Sequence, residues 1–474
     1  MSMDDQIEVL YQYVMDQNRI IVHNDDLFSI YEGDLLRFVT QSLREQLSPQ
    51  SFAIAAQRIP PINVLVRIID KLSKIYQQSP MRSIVEGTGD DVDAELLSWY
   101  QDSMDMNNVM NCSNEFLNLF KNNLIQPYIY KGMPKLRAIP SNSFTVYSDS
   151  KIDPTVPTHV ITFHSIVENG QTTKLYYVYT DENFYIFDEY KKPRFDIMAS
   201  LGNEEGINIA GKIPFVYVNR SKNLLIPMID TDVKKMTVLL PVMLADLNFA
   251  VMMQAFSIMY GIDVDDTGIK MSPNAFWNFK SDESTDKTPQ IGVLKPQVDT
   301  AATLNLIQAE VGLWLQTRGI KPGAVGTLTT ETAASGISKM IDEMDTSEER
   351  QKQVGIYHSA EKELWNLITN YMHPMWRSQG VIDTSMDWTP GVEIEINFSE
   401  QLPLLNRGDV VANLKLEREA GFISRFRAVQ KLNPRMSEEE VTLLINEIDE
   451  EKGNDKKEIE EIDKEEDKEK QEVA

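Results

Sequence analysis

The residues best suited to chemistry are five histidines (His23, His159, His164, His358, His373), the single cysteine Cys112, and acidic pairs such as Glu348-Glu349 and Glu361/Glu363. Their spacing argues against catalysis. No H-E-x-x-H or similar ligand pattern joins the histidines, and His159 and His164, five apart in a strand, fall on opposite faces. No G-x-S-x-G elbow presents a serine nucleophile. Asp263-Val264-Asp265-Asp266-Thr267-Gly268 half matches a calcium loop, but Asn274 stands at the twelfth position, where a bidentate Glu is required, so a turn is expected. Cys112 reads as a small buried hydrophobe and the acidic pairs as solvated helix faces. No catalysis, metal or cofactor is expected.

One further candidate is a loop. Lys321-Pro322-Gly323-Ala324-Val325-Gly326 leads into a hydroxyl-rich run of Thr327, Thr329, Thr330, Thr332 and Ser335. It lacks G-x-x-x-x-G-K-[ST], so it is not a nucleotide-phosphate cradle. Proline and two glycines instead predict a mobile, exposed loop.

The elements around this loop are legible from periodicity. After Gly336, Ile337, Met340, Ile341 and Met344 mark one helical face, and Val354, Tyr357, Leu364, Trp365, Ile368 and Tyr371 mark another. Asp345 to Gln353 between them reads as polar all round. A continuous helix here is about 50 Å long at ~1.5 Å per residue, with Gly355 as the expected bend and His373-Pro374 as its end. Upstream, Met228 to Tyr260 is apolar on nearly every face, with Asp246 its only charge from Met236 on. Such a helix is buried on all sides, and with no large local core apparent its cover is expected from other subunits. Ile262 to Lys295 is a strand-rich excursion holding Phe276, Trp277, Phe279, Asp282 and Glu283, and Ala301 to Thr317 is a second apolar helix.

The N-terminal 82 residues read as helices, with Ile20 to Asp25 as a connector and Pro60-Pro61 as a break. Helices follow at Val92–Met104 and Met106–Asn123. From Pro127 the period changes to two. Phe144–Tyr147, His159–Val167, Thr172–Thr180 and Phe184–Tyr190 are predicted strands, Asn169-Gly170 a tight turn, and Lys212–Val218 an edge strand because Pro214 cannot donate to a ladder. Val392–Phe398 alternates like a strand. Arg407 to Asp449 gives three short helices: Gly421 ends the first, Ser424 caps the second, and Ser437-Glu438-Glu439-Glu440 is a capping box for the third.

Composition sets limits. Apolar residues at 42% and charged residues at 25% are those of a soluble globular chain of 474 residues, long enough for about three domains. Met1 to Asp5 has no basic start to an apolar core, so no secretory leader is expected and a reducing, cytoplasmic setting fits. The net charge of −26 opposes tight, sequence-independent binding of nucleic acid, which needs a basic surface. Asp449 to Ala474 holds 13 acidic and 6 basic residues and reads as a solvated tail.

The order of these parts resembles the portal proteins of tailed bacteriophages over roughly residues 25 to 450. The resemblance rests on Ile62-Asn63-Val64-Leu65-Val66-Arg67-Ile68-Ile69-Asp70-Lys71 running to Ser79-Pro80, on Gly211-Lys212-Ile213-Pro214-Phe215-Val216, on Ala334-Ser335-Gly336-Ile337-Ser338, and on Glu419-Ala420-Gly421-Phe422-Ile423-Ser424. It implies a mainly helical α+β subunit with wing, stem, clip and crown around a central channel. On this chain it implies a wing at 1–227, stem helices at 228–260 and 300–318, a clip at 261–299 and a tunnel loop at 319–335. The long channel/wing helix would be 336–378, a wing strand and connector 379–405, the crown 406–449 and an acidic tail 450–474.

The resemblance also implies rings, typically of about twelve copies, at one capsid vertex of the virion, assembled in the host cytoplasm. Double-stranded DNA would pass along the axis without sequence specificity. Terminase, a head-completion or tail adaptor, and major capsid and scaffolding proteins would be partners, with no membrane. DNA contacts would then fall on Lys321, Thr327, Thr329, Thr330, Thr332 and Ser335, with Lys234, Lys235 and Arg318 near the channel, and partner contacts on Phe276, Trp277, Phe279, Asp282 and Glu283. Two other readings stand beside it: a membrane-embedded oligomer using 236–260, and a helix-turn-helix DNA binder using 424–433, where Arg425, Arg427 and Lys431 cluster.

Overall fold

The structure is a computed structural model that describes residues 3–168, 170–255, 258–262, 290–294, 299–320, 336–382, 384–398, 407–433 and 441–449. The chain is α+β and mainly helical. It divides into one unit of Met1–Ala334 with Asp345–Ser399, and another of Ser335–Met344 with Glu400–Ala474.

The first unit begins with helices α1 (Met3–Asp16), α2 (Asn18–Tyr31), α3 (Leu35–Gln46), α4 (Pro49–Ala55) and α5 (Val64–Leu72). Ile20 to Asp25, expected as a connector, lies inside α2, because Ile21, Asn24, Leu27 and Ile30 continue one inward face. Strand β1 (Met81–Ile84) follows, then α6 (Asp91–Ser103) and α7 (Met106–Phe120). The expectation of helices alone to residue 82 misses β1, whose partner lies more than 300 residues away. The start of α6 carries a full capping box, with Asp90 accepting from the backbone of Asp93 and the Asp93 side chain accepting from Asp90. Helix α7 stops three residues earlier than predicted, at a left-handed Lys121 (φ 70°), and Asn122 and Asn123 already belong to the next strand.

Strands β2 (Asn122–Tyr130), β3 (Met133–Pro140), β4 (Phe144–Tyr147), β5 (His159–Glu168), β6 (Gln171–Tyr179) and β7 (Phe184–Asp188), helix α8 (Phe195–Ser200) and strand β8 (Val216–Asn219) follow. They form two antiparallel sheets, β3-β2-β8 and β4-β5-β6-β7. The predicted β5–β6 hairpin closes with Glu168 opposite Gln171 and Gly170 at φ 78°. Pro214 precedes β8, an edge strand that carries its ladder only on the β2 side. Helix α1 covers the second sheet through Ile7, Leu10 and Val14 against Ile161, Leu175, Val178 and Ile186.

Helix α9 (Thr231–Ala255) leads to a short antiparallel pair, β9 (Ile258–Ile262) and β10 (Gln290–Leu294), and helix α10 (Thr300–Thr317) returns alongside α9. Then come α11 (Gly336–Leu367), a π-helical turn (Ile368–Met372), α12 (His373–Ser378) and β11 (Ile394–Asn397), which pairs with β1. The main core joins α6, α7, β1, β2, β8 and β11 to Tyr357, Leu364, Trp365 and Ile368 of the long helix.

Two expectations for α11 change here. The helix is regular through Gly355, and its register departs at the π turn instead. Nor does His373-Pro374 end it: a π turn widens the backbone just where Pro374 would collide with the preceding turn, so helix resumes to Ser378. Tyr371, predicted inward, is exposed at 36% because the π turn rotates it off the apolar stripe.

In the second unit, helices α13 (Arg407–Glu419) and α14 (Arg425–Leu432) precede a helix at 441–449. Gly421 (φ 78°) closes α13 with bonds from its own N–H to Arg418 and from Phe422 to Glu417, and Ser424 caps α14 through the Arg427 N–H, both as predicted. The capping box at Ser437 to Glu440 lies outside the described residues.

Candidate channel site and the buried seam of the long helix

The candidate loop residues Lys321, Thr327, Thr329, Thr330, Thr332 and Ser335 lie outside the described residues, as do Phe276, Trp277, Phe279, Asp282 and Glu283. The remaining three candidates, Lys234, Lys235 and Arg318, gather at the foot of the α9–α10 pair. Arg318 follows the last turn of α10 and reaches back to the start of α9, donating to Asp230 at 2.9 Å and to Asp232 at 2.6 Å. Trp314 also donates its indole N–H to Asp232, and Lys121 lies 3.4 Å from Asp230. Burial acts to raise the Asp232 carboxyl, but bonding to the Arg318 guanidinium and its charge outweigh it and hold the group at about 2. Arg318 is raised in turn, the two aspartates overcoming the penalty of its burial.

Lys234 is drawn to Asp26 of α2 at 2.5 Å and lies over the Phe38 ring. Beside it, burial and then the Lys234 charge lower the pKa of His23. Lys235 is exposed and has no ion-pair partner among the described residues. The three cations are therefore not equivalent. Two are clamps that lock the helix pair to α2 and to each other, and Lys235 takes no part in either.

Sequence reasoning missed a second polar group, the seam that anchors α11. Glu361, expected on a solvated face, is fully buried, and its carboxylate accepts from Arg82 Nε at 2.6 Å, Arg82 Nη2 at 2.9 Å and the Tyr76 hydroxyl at 2.7 Å. Burial, with the charge and bond of Glu361 added to it, raises the Tyr76 phenol well above its ordinary value. In the stretch to Gln353, expected to be polar all round, Arg350 and Gln353 are buried. Gln353 is 1% exposed and accepts from Asn114 and Asn118 of α7 while donating to Asn118. One turn on, the Tyr357 hydroxyl meets Ser113, which donates to Asn123. The signal was present in the register: positions 350, 353, 357, 361, 364 and 368 form a single helical stripe.

In the second unit, Arg425 is bound through one guanidinium nitrogen to both oxygens of Asp449, at 2.6 and 2.7 Å, Arg427 donates to Gln430 of its own helix, and Lys431 lies 4.0 Å from Glu417. The basic face expected of a DNA-reading helix is therefore largely neutralised within this small bundle.

A profile of the phage portal protein family, SPP1 Gp6-like, matches residues 83–472, more than four fifths of the chain. The chain belongs to this family. It is thus a portal, or head-to-tail connector, protein of a phage-type particle, and its family is a structural one. Among solved structures, a chain in the neck of an empty gene transfer agent particle is similar over 81% of this chain and 93% of its own, at 10% identity and a TM-score of 0.38. A chain from the virion of a native gene transfer agent particle is similar over 78% and 89%, at 12% identity and a TM-score of 0.33. No curated protein matches.

Proposed function

We propose that this chain is the subunit of a portal ring at one capsid vertex, a conduit for double-stranded DNA during packaging, retention and ejection. The observation that carries this reading beyond family membership is the α9–α10 pair. Thr231–Met252 is long and apolar enough to cross a membrane, and its own chain covers the pair only in part, leaving Leu239 and Val251 of α9 and Leu306 and Leu313 of α10 at 39%, 46%, 57% and 66% exposure. Such surface is stable in water only when another body covers it. A bilayer fits poorly, because α3 packs along α9 and carries Arg37, Gln41, Arg44 and Glu45, all exposed. Neighbouring copies in a ring supply apolar cover and polar partners together, with the charged groups forming the rim of the contact.

In this reading residues 1–227 with 379–405 form the wing, 228–260 and 300–318 the stem, 261–299 the clip, 336–378 the long helix, 406–449 the crown and 450–474 an acidic tail. Residues 319–335 form the loop at the channel. The net charge of −26 suits a channel through which DNA slides, since few phosphates can be gripped. Terminase would dock on the ring during packaging, and a head-completion or tail adaptor would bind the clip around Phe276, Trp277, Phe279, Asp282 and Glu283. Capsid and scaffolding proteins would meet the wing.

The test is replacement of Lys321 by Ala together with Thr327, Thr329, Thr330 and Thr332 by Val. Assembly should be unchanged while packaged-genome length or DNA retention falls by about tenfold in titre, the loss of one or two kcal/mol of phosphate contact. Normal genome length and titre would remove the loop from the account.

A further inference from the structure

On α9, Lys235, Val238 and Leu239 border a groove of about 660 Å³ between α2, α3 and α9, whose floor includes Phe38 and whose rim includes Arg37, Gln41 and His23. Leu239 is 39% exposed. On α10, the face turned away from α9 presents Ala302, Leu306, Ala309, Glu310 and Leu313, with Leu306 57% and Leu313 66% exposed. Glu310 is the one charge in α10, and it has no ion-pair partner among the described residues.

The two faces are complementary in three respects. One is a recess and the other a ridge of two leucines, both largely apolar. The ridge carries a single charge, Glu310, while the groove holds three cations (Arg37, Lys234, Lys235) against two carboxylates (Asp26, Glu45), and of those cations Lys235 alone has no ion-pair partner among the described residues. They also lie at the same height, because the contact from Trp314 to Asp232 sets the register of the antiparallel pair and brings Lys235 and Leu239 level with Val311 and Ile307. With the helix pair running along the ring axis, as the stem reading has it, rotation leaves height unchanged, so surfaces that meet in a closed ring must be level in this way. One copy cannot satisfy itself, since the groove and the ridge are on opposite sides of the helix pair.

Resting on the ring reading, we infer that α10 of each subunit seats in the α2–α3–α9 groove of the next, with Leu306 and Leu313 against Phe38, Val238 and Leu239, and Glu310 paired with Lys235. The contact is heterologous and repeats around the ring. Its ion pair selects which faces meet, while the leucines supply the burial.

Charge reversal in the full-length protein tests the pairing. Lys235→Glu and Glu310→Lys should each weaken ring formation about tenfold by mass photometry, and the double reversal should restore it. A second arm removes dependence on the reversals folding well. In a Cys112→Ser background, Leu239→Cys with Leu306→Cys should give a ladder of covalent multimers with a short bismaleimide, and neither single variant should. Rings that tolerate each reversal and yield no ladder overturn this contact and leave the ring reading standing. A wild-type chain that forms no multimers at high concentration overturns both.

Discussion

His373 is fully buried, yet both ring nitrogens are engaged: the Tyr100 hydroxyl lies 2.8 Å from Nδ1, and Nε2 lies 3.2 Å from the Met386 carbonyl. A neutral ring satisfies both partners, with Nε2–H donating to the carbonyl and Nδ1 accepting from the phenol. Burial is the main reason that its pKa falls below the ordinary value, with Arg377 adding to it and the Met386 carbonyl and Asp387 opposing. The unfolded chain therefore takes up this proton more readily than the folded one, and stability should fall as pH drops below about 6.5. His373→Gln should flatten that part of the profile in chemical denaturation measured from pH 7.5 to 5. An unchanged slope would show that His373 is not the group responsible. At this scale the sequence was only partly legible. Lys234, Lys235 and Arg318 were identifiable as cations, but that carboxylates from α2 and the start of α9 claim two of them follows from tertiary packing.

At the scale of elements, the long helix is held from Gln353 to Glu361 by polar groups that a purely apolar stripe would not need. Arg82 and Glu361 have no side-chain exposure, and both are bonded further, Arg82 to Asn107 and Glu361 to Tyr76. Removing one partner strands the other charge. Glu361→Ala should cost about 3–5 kcal/mol in denaturant unfolding, whereas Arg82→Met with Glu361→Leu should recover most of that loss. A cost under 1 kcal/mol for the single variant would mean that the pair does not anchor α11. Local pattern predicted the elements well where alternation was clean, as in β11, or where a turn signal framed a pair, as between β5 and β6. It failed for β1, whose pairing with β11 is remote in sequence, and at Pro374, where a π turn supplies the room a proline normally lacks. It failed again at Glu361, where residue type suggested solvent while position on the stripe pointed to the core.

At the scale of the molecule, an acidic chain carries an apolar helix pair that it covers only in part, and the ring reading gives that surface a purpose. This much was readable in advance, because all-round apolarity in α9 and the helix–excursion–helix–loop–helix order do not depend on tertiary detail. The partner of the α10 ridge was not readable, since it needs the height of each residue along the pair. The most direct measurement is mass photometry with negative-stain imaging of the purified protein without detergent. The account predicts closed rings of about a dozen subunits with a central hole. A protein that stays monomeric at high concentration, or leaves solution unless detergent is present, would contradict it.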